Sequence, residues 1–403
     1  MGAYAGVDWA SEAHAACVVD ETGRVTVERV VGHDERGVAE LCDLLVGEGV
    51  QRVALERPDG VLVERLVDAG LVVLAIHPNQ VRAARERYTV ARTKSDRLDA
   101  FVLGELARTD AHRFRALRPD SDETKALRAL TRAREDLVAA RVRLANELRA
   151  ELERFWPGAA RIFSEVDSPI ALAFCERYPS PADARGLGER RLEGFLARER
   201  YCGRRSAGEL LSRLRQAATG TAGEAEVEAR RSVVLALVAA LRPLVEQIGR
   251  LSSQIAGAVR AHVDGEIFLS LFRDPRSTVT AARLAAEIGD CRGRYPDAEA
   301  LAADAGMSPV AIESGKRKVA GFRRGCDHRL RDAVACLADA TRHHHPWARQ
   351  VYAKARARGC DHPHAIRVLG RAWLRVIWRM WQDRLAYDPA RHGNLNRLRA
   401  AGG

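Results

Sequence analysis

Three short runs rich in valine and alanine open the chain, at 3–8 (AYAGVD), 14–20 (HAACVVD) and 25–31 (VTVERVV), and turn-prone residues separate them. Ser11-Glu12 and Glu21-Thr22-Gly23 are those turns, so the runs suit consecutive antiparallel strands. A helical stretch follows from about Glu35 to Val46, with Val38, Leu41, Cys42 and Leu45 at three- and four-residue spacing. Apolar runs at 52–55 and 71–76 then flank the helix-like GVLVERLVDAG. The order β-β-β-α-β-α-β, followed by helix, predicts a mixed sheet flanked by helices.

That order is the RNase H-like arrangement, and it occupies only the first part of the chain. From Asp122 to Phe155 the pattern turns helical, with Leu127, Leu130, Leu137, Leu144, Leu148 and Leu152 near a heptad register, until Pro157-Gly158 stops it. Short amphipathic helices are expected between Asp167 and a flexible joint at 219–223, then a second long helix from Glu224 to His262. The remainder reads as α-rich: TAARLAAEIGD, a polar basic loop at 313–326, and helices near 328–342, 347–357 and 362–385. Trp373, Trp378 and Trp381 on the last of these read as hydrophobic core, and the tail after Asp388 as loosely ordered. The expected fold class is α/β plus all-α. Its parts are a sheet domain at 1–118, a helical or coiled-coil connection at 119–262, an α-rich domain at 263–388 and a flexible tail at 389–403.

Composition narrows the partners. With 403 residues and 47% hydrophobic content the chain can bury two or three cores. A net charge of +11 favours a polyanion. No uninterrupted apolar stretch approaches the roughly 20 residues that span a bilayer, and the N-terminus lacks the pattern of a secretion signal. Cytoplasm is therefore the expected location, with no membrane partner. Eight cysteines show no CxxC pair and read as reduced, mostly buried thiols.

Four acids stand out against this frame. Asp8 ends the first strand (GVDWA) and Glu56 the fourth (ALERPDG), where two carboxylates at neighbouring strand ends repel unless a cation lies between them. TKSDRLDA adds Asp96 and Asp99, three residues apart on one helical face behind the N-cap Ser95. Hard oxygen ligands with open positions suit Mg²⁺ or Mn²⁺ in phosphoryl transfer. Any one of these acids alone would be a turn or cap residue, and Asp34 and Asp59 are possible decoys.

Further on, PVAIESGKRKVAGFRRGCDHRLRDAV carries Ser314 among Lys316, Arg317, Lys318, Arg323 and Arg324, and Lys94 precedes the paired aspartates. Such cations can neutralise a phosphate beside the hydroxyl. From composition alone this is a solvated basic loop.

GVDWA, ALERPDG and TKSDRLDA resemble the motifs of the DEDD transposases with a RuvC-like domain, insertion-sequence family one hundred and ten, also called bridge-RNA-guided recombinases. The serine-bearing stretch and TAARLAAEIGD are similar to the C-terminal transposase domain of that family. The resemblance implies metal binding by Asp8, Glu56, Asp96 and Asp99 and a catalytic serine at Ser314. It also implies dimers that pair into a tetramer, donor and target DNA as substrates, and a non-coding guide RNA. Where relatives commonly have a Gly-hydrophobic-Gly turn, this chain has Asp274-Pro275-Arg276-Ser277. His343-His344-His345 reads as a surface turn, and no GxxxxGK[ST] or GxGxxG is present. The resulting expectation is DNA strand exchange through a serine–DNA intermediate. A metal-dependent junction-resolving nuclease and an inactive nucleic-acid-binding relic are the alternatives.

Overall fold

The first of two units is built on a five-stranded sheet. Its elements are β1 (Ala3–Asp8), β2 (Ala13–Val19), β3 (Val25–Gly32), α1 (Glu35–Gly47), β4 (Val50–Leu55), α2 (Val61–Asp68), β5 (Val72–Ala75), α3 (Pro78–Arg85) and α4 (Asp96–Thr109). The computed structural model describes residues 2–56, 60–89, 95–218, 222–274, 277–314 and 317–401, with the backbone alone at 312–314, 317–318, 398–399 and 401. The strands lie in the order β3-β2-β1-β4-β5; β1 to β3 are antiparallel, and β4 and β5 add in parallel on the other side of β1. The β2–β3 turn closes because Asp20 Oδ1 accepts the backbone N–H groups of Thr22 (2.8 Å) and Arg24 (3.0 Å) while Gly23 takes φ +86°.

Side chains alternate across this sheet, and so do its two cores. Val7, Val53, Leu55 and Val73 pack with Leu41 and Leu45 of α1 and with Leu62 and Leu66 of α2. Ala54, Leu74 and Ile76 face the other way, onto Val81 and Ala84 of α3 and Val102, Leu103 and Leu106 of α4. Gly6 lets α4 rest directly on β1: a Cβ there would fall inside contact distance of the Ala100 carbonyl oxygen and the Gly104 amide. Gly6→Val is expected to destabilise this unit by about 3 kcal/mol or more, because backbone must move to admit the side chain. Denaturant unfolding with hydrogen exchange in α4 measures it, and unchanged α4 protection would refute the close-contact account.

The second unit is helical and begins with α5 (Asp122–Phe155), α6 (Pro157–Arg161), α7 (Pro169–Arg177), α8 (Glu189–Arg198), α9 (Ala207–Gln216) and α10 (Glu224–Ala261). Helices α5 and α10 run antiparallel along each other: Thr124 meets His262 (2.7 Å), Arg134 meets Ser252 (2.7 Å) and Glu151 meets Arg230 (2.6 Å). Between them α6 to α9 enclose a core of Trp156, Phe163, Phe174, Phe195 and Leu210 against Leu148, Leu152, Val234 and Val238. By length and composition α10 is the one helix among the described residues apolar enough to cross a membrane, an exception to the sequence expectation. It nevertheless carries Pro243 and an Arg242–Glu176 ion pair (2.5 Å), and its buried residues Val234, Val238, Leu241, Ile248, Ile255 and Val259 form a stripe.

The unit continues with α11 (Gly265–Leu269), α12 (Thr278–Ile288), α13 (Ala298–Asp304), β6 (Val310–Ser314), β7 (Arg317–Gly321), α14 (His328–His344), α15 (Pro346–Ala357), α16 (His362–Asp383) and α17 (Gly393–Ala401). Residues 291–296 instead fold with the first unit, where Arg294 Nη2 lies 2.5 Å from Asp120 Oδ2. Partly buried ion pairs fasten α5 to the C-terminal helices: Glu287 of α12 with Arg132 (2.7 Å), and Glu135 with Arg283 and with Arg329 of α14 (2.9 Å).

Trp373 and Trp381 are fully buried, as expected, and their indole N–H groups donate to Thr341 Oγ1 and the Gly289 carbonyl (both 2.9 Å), whereas Trp378, expected with them in the core, is only half-buried. The stretch at 313–326, expected as a loop, starts with a hairpin in which Val310 pairs with Gly321, Ile312 with Val319 and Ser314 with Arg317. Dense cations conceal the short alternation at sequence level. The tail also differs, because α17 docks on α15 and buries His392 and Leu395. His345, expected in a surface turn, caps α15 and hydrogen-bonds Tyr387 (2.8 Å). All eight cysteines are free, but only Cys17, Cys42 and Cys175 are buried, because the other five fall on loops, helix ends or outward helix faces.

Candidate active site

Register brings the first two acids together. Val7 of β1 pairs with Leu55 of β4, so Asp8 and Glu56 follow at the same end of two adjacent parallel strands. Alternation places both on the α3–α4 face, since Gly6 and Ala54, two residues before each, meet α4 or its core. Helix α4 runs antiparallel to β1: Arg108 near its C-terminus donates to the Glu21 carbonyl in the β2–β3 turn (3.2 Å), at the opposite end of the sheet. Its first turn, carrying Asp96 and Asp99, therefore lies at the acid end. Ser95 starts that turn as expected, its Oγ accepting the Leu98 N–H (3.2 Å), a cap worth about 1 kcal/mol. Arg97 is tied to Glu28 of β3 (Nε–Oε1 2.6 Å), which keeps the helix start over the sheet.

The four acids differ in exposure. Asp99 is 3% exposed, Asp8 and Glu56 are half-buried and Asp96 faces solvent. Among the described residues no three potential ligands yet surround one point. The donor set nevertheless fits a hard divalent cation: all four are carboxylates, three lie on one face at one end of the sheet, and Asp99 Oδ1 is buried without a hydrogen-bond partner. Arg85, at the end of α3, is the residue missed in the sequence: its Nε lies 2.5 Å from that oxygen. No spacing links positions 85 and 99; only the packing of α3 on α4 does. Asp34 is a helix cap, accepting the Gly37 N–H (2.7 Å), while Asp59 lies outside the described residues.

On the opposite face of the same sheet end sits a histidine pair. His14 is fully buried, with Nε2 2.8 Å from His33 Nδ1 and Trp9 packed beside both rings. Burial first, and the charge of His33 second, hold the His14 pKa below its ordinary 6.5. The unfolded chain thus takes up a proton that the folded chain refuses, so stability is full above about pH 6.5 and is lost as pH falls below it. The loss is at most about 1.4 kcal/mol per pH unit. Thermal unfolding between pH 7.5 and 5 should show it, and His14→Gln should flatten the dependence; an equally steep variant would assign the acid sensitivity elsewhere.

Ser314 is the last residue of β6, in the second unit. Arg317 and Lys318 begin β7; Lys94 and Lys316 lie outside the described residues. Arg323 steadies the base of the hairpin, donating from Nε to the Ser308 carbonyl (3.3 Å), and its own carbonyl accepts Arg331 Nη2 (2.5 Å). Arg324 is exposed. Phe322, also exposed, lies beneath the guanidinium groups of Arg331 (4.7 Å) and Arg367 (4.8 Å). Pro275 and Arg276 of the atypical turn lie outside the described residues.

A nuclease-like mixed sheet with acids at one end, joined to a helical unit with a basic hairpin, is the make-up of a DNA transposase or recombinase, and the comparisons agree. Residues 5–157 match the DEDD transposases of IS110, and residues 276–353 match the transposases of the IS116/IS110/IS902 family. The chain is 33% identical over 401 residues to the transposase named for the IS117 mini-circle of Streptomyces coelicolor, covering 96% of each protein. It is 29% identical over 392 residues to the 44.8 kDa protein of IS116 from Streptomyces clavuligerus, covering 96% of each. It is 28% identical over 395 residues to the 42 kDa protein of IS900 from Mycobacterium paratuberculosis, covering 96% of this chain and 97% of that one. This chain belongs to the IS110 family of transposases.

Proposed function

We propose that this transposase cuts and rejoins DNA through a covalent serine–DNA phosphodiester formed by Ser314. The observation that carries the metal half of this reading is the placement of Asp8, Glu56 and the first turn of α4 at one end and one face of the sheet. In it, residues 1–118 act as an RNase H-like, RuvC-like domain in which Asp8, Glu56, Asp96 and Asp99 hold Mg²⁺, or Mn²⁺. When bound, such ions polarise the scissile phosphate and ease deprotonation of an attacking hydroxyl. Residues 263–388 act as the serine domain, and 119–262 as a coiled-coil connection through which copies assemble as dimers and then a tetramer.

The Ser314 hydroxyl loses its proton and forms a bond to phosphorus, and the bond from phosphorus to one DNA oxygen breaks, that oxygen leaving as a protonated hydroxyl. A hydroxyl of the second DNA reverses the step and releases Ser314, so bond energy is conserved. Lys94, Lys316, Arg317, Lys318, Arg323 and Arg324 offset phosphate charge along the path. Acids and serine act on the same phosphate, within one chain or between subunits. A non-coding RNA selects donor and target by base pairing, and the protein works in the cytoplasm.

The test is covalent trapping: full-length protein, Mg²⁺, RNA transcribed from the flanking DNA and a labelled donor junction, separated on a denaturing gel. A labelled band at the size of protein plus DNA is expected. Cleavage without such a band would favour water as nucleophile and a junction-resolving nuclease.

A further inference from the structure

We propose that Arg85 is a built-in counter-cation of the acidic site: it neutralises Asp99 in the metal-free protein and is displaced when a divalent cation arrives. The inference rests on the metal-site reading above and adds to it the group that the metal must compete with.

The contact is an ion pair by proximity, without an aligned hydrogen bond. Both side chains are largely buried, 16% exposed for Arg85 and 4% for Asp99, and Nε lies 2.5 Å from Oδ1. Yet neither atom has a hydrogen-bond partner, so the N–H does not point at the oxygen it almost touches. Arg108 of the same unit, by contrast, grips Glu105 with two aligned hydrogen bonds (2.7 and 2.8 Å). A permanent structural pair buried this deeply gains its strength from such alignment. Arg85–Asp99 has charge proximity alone.

Its placement is nonetheless dictated by the fold. His77 caps α3 by accepting the Asn79 N–H on Nδ1 (3.1 Å), and Pro78 follows it at the first turn. Val81 and Ala84 then pack α3 into the core it shares with α4. Position 85 therefore ends α3 beside the first turn of α4. Three acids share that end and face, and a carboxylate as buried as Asp99 needs a positive partner when no metal is present. The Arg85 guanidinium supplies that charge. The carboxylate remains turned for a different ligand, one that accepts an oxygen lone pair without a directional N–H.

Mn²⁺ binding to full-length protein tests this, followed by loss of the free-ion electron paramagnetic resonance signal. Thermal unfolding with and without Mn²⁺ runs alongside. Arg85→Met keeps the aliphatic stem and removes the charge; it should bind Mn²⁺ about tenfold more tightly than the natural protein, since the competitor is gone. Without metal it should melt lower, and with saturating Mn²⁺ the gap should close. Arg85→Lys, which keeps a competing charge and covers the case where the methionine variant fails to fold, should stay within about threefold of the natural affinity. Equal or weaker Mn²⁺ binding by Arg85→Met would make Arg85 a fixed structural partner and overturn the proposal. Absence of Mn²⁺ uptake by either protein, or an unchanged Mn²⁺ affinity in Asp99→Asn, would overturn the metal-site reading itself, and this inference with it.

Discussion

Ser314→Ala is expected to form no protein–DNA adduct and to lose recombination by a factor on the order of 10⁴ or more, about 5.4 kcal/mol of transition-state stabilisation. The size follows from the proposal that the Ser314 oxygen bonds to phosphorus, a role an alanine methyl cannot take. Folding should be spared, because Ser314 pairs with Arg317 through the backbone of β6 and β7, and alanine keeps both hydrogen-bonding groups. The measurement is the denaturing-gel assay run beside circular dichroism and a melting curve. A folded Ser314→Ala protein that still makes the adduct would move the nucleophile to another residue, and one that still cleaves without adduct would leave a metal-dependent nuclease.

Asp8→Asn should be nearly as severe, with strand cleavage reduced about 10³-fold or more. Asparagine keeps the shape and one oxygen but not the charge, and a hard divalent cation at neutral pH depends on carboxylate charge as well as geometry. Asp8 also ends a strand fastened on three sides: β1 is hydrogen-bonded to β2 and to β4, and is pressed against α4 at Gly6. Loss of function there reflects chemistry rather than unfolding, and two readings check this. The melting temperature without metal should be unchanged to within a few degrees, and its rise on adding Mn²⁺ should disappear. Full cleavage by Asp8→Asn would remove this aspartate from the site.

Much of the placement of the candidate site was legible because β-sheets have a period of two and helices one near four. The short valine-rich runs, the tight turns and the helix between the third and fourth strands dictate which strands pair antiparallel and which parallel. Acids that end the first and fourth runs must then emerge at one end of the sheet. Ser95, three residues before Leu98, announces its own cap, and Asp96 and Asp99 follow from it. The pairing of residues 310–314 with 317–321 was hidden, because five-residue strands crowded with cations show too little alternation to stand out. The docked tail escaped notice for a related reason: burying His392 and Leu395 needs partners on α15 and α16 that no local pattern reveals.

Local order and chemical type were thus written in the sequence by itself: strand succession, helix caps, two long amphipathic helices, and the acids and serine whose types match metal binding and nucleophilic attack. What only tertiary structure decided is which groups meet across distant segments. Arg85 faces Asp99 because Val81 and Ala84 bury against Leu103 and Leu106, and His14 meets His33 because β2 and β3 share a register. Such contacts arise from the packing of whole faces, a sum over many side chains, so no spacing along the chain encodes them.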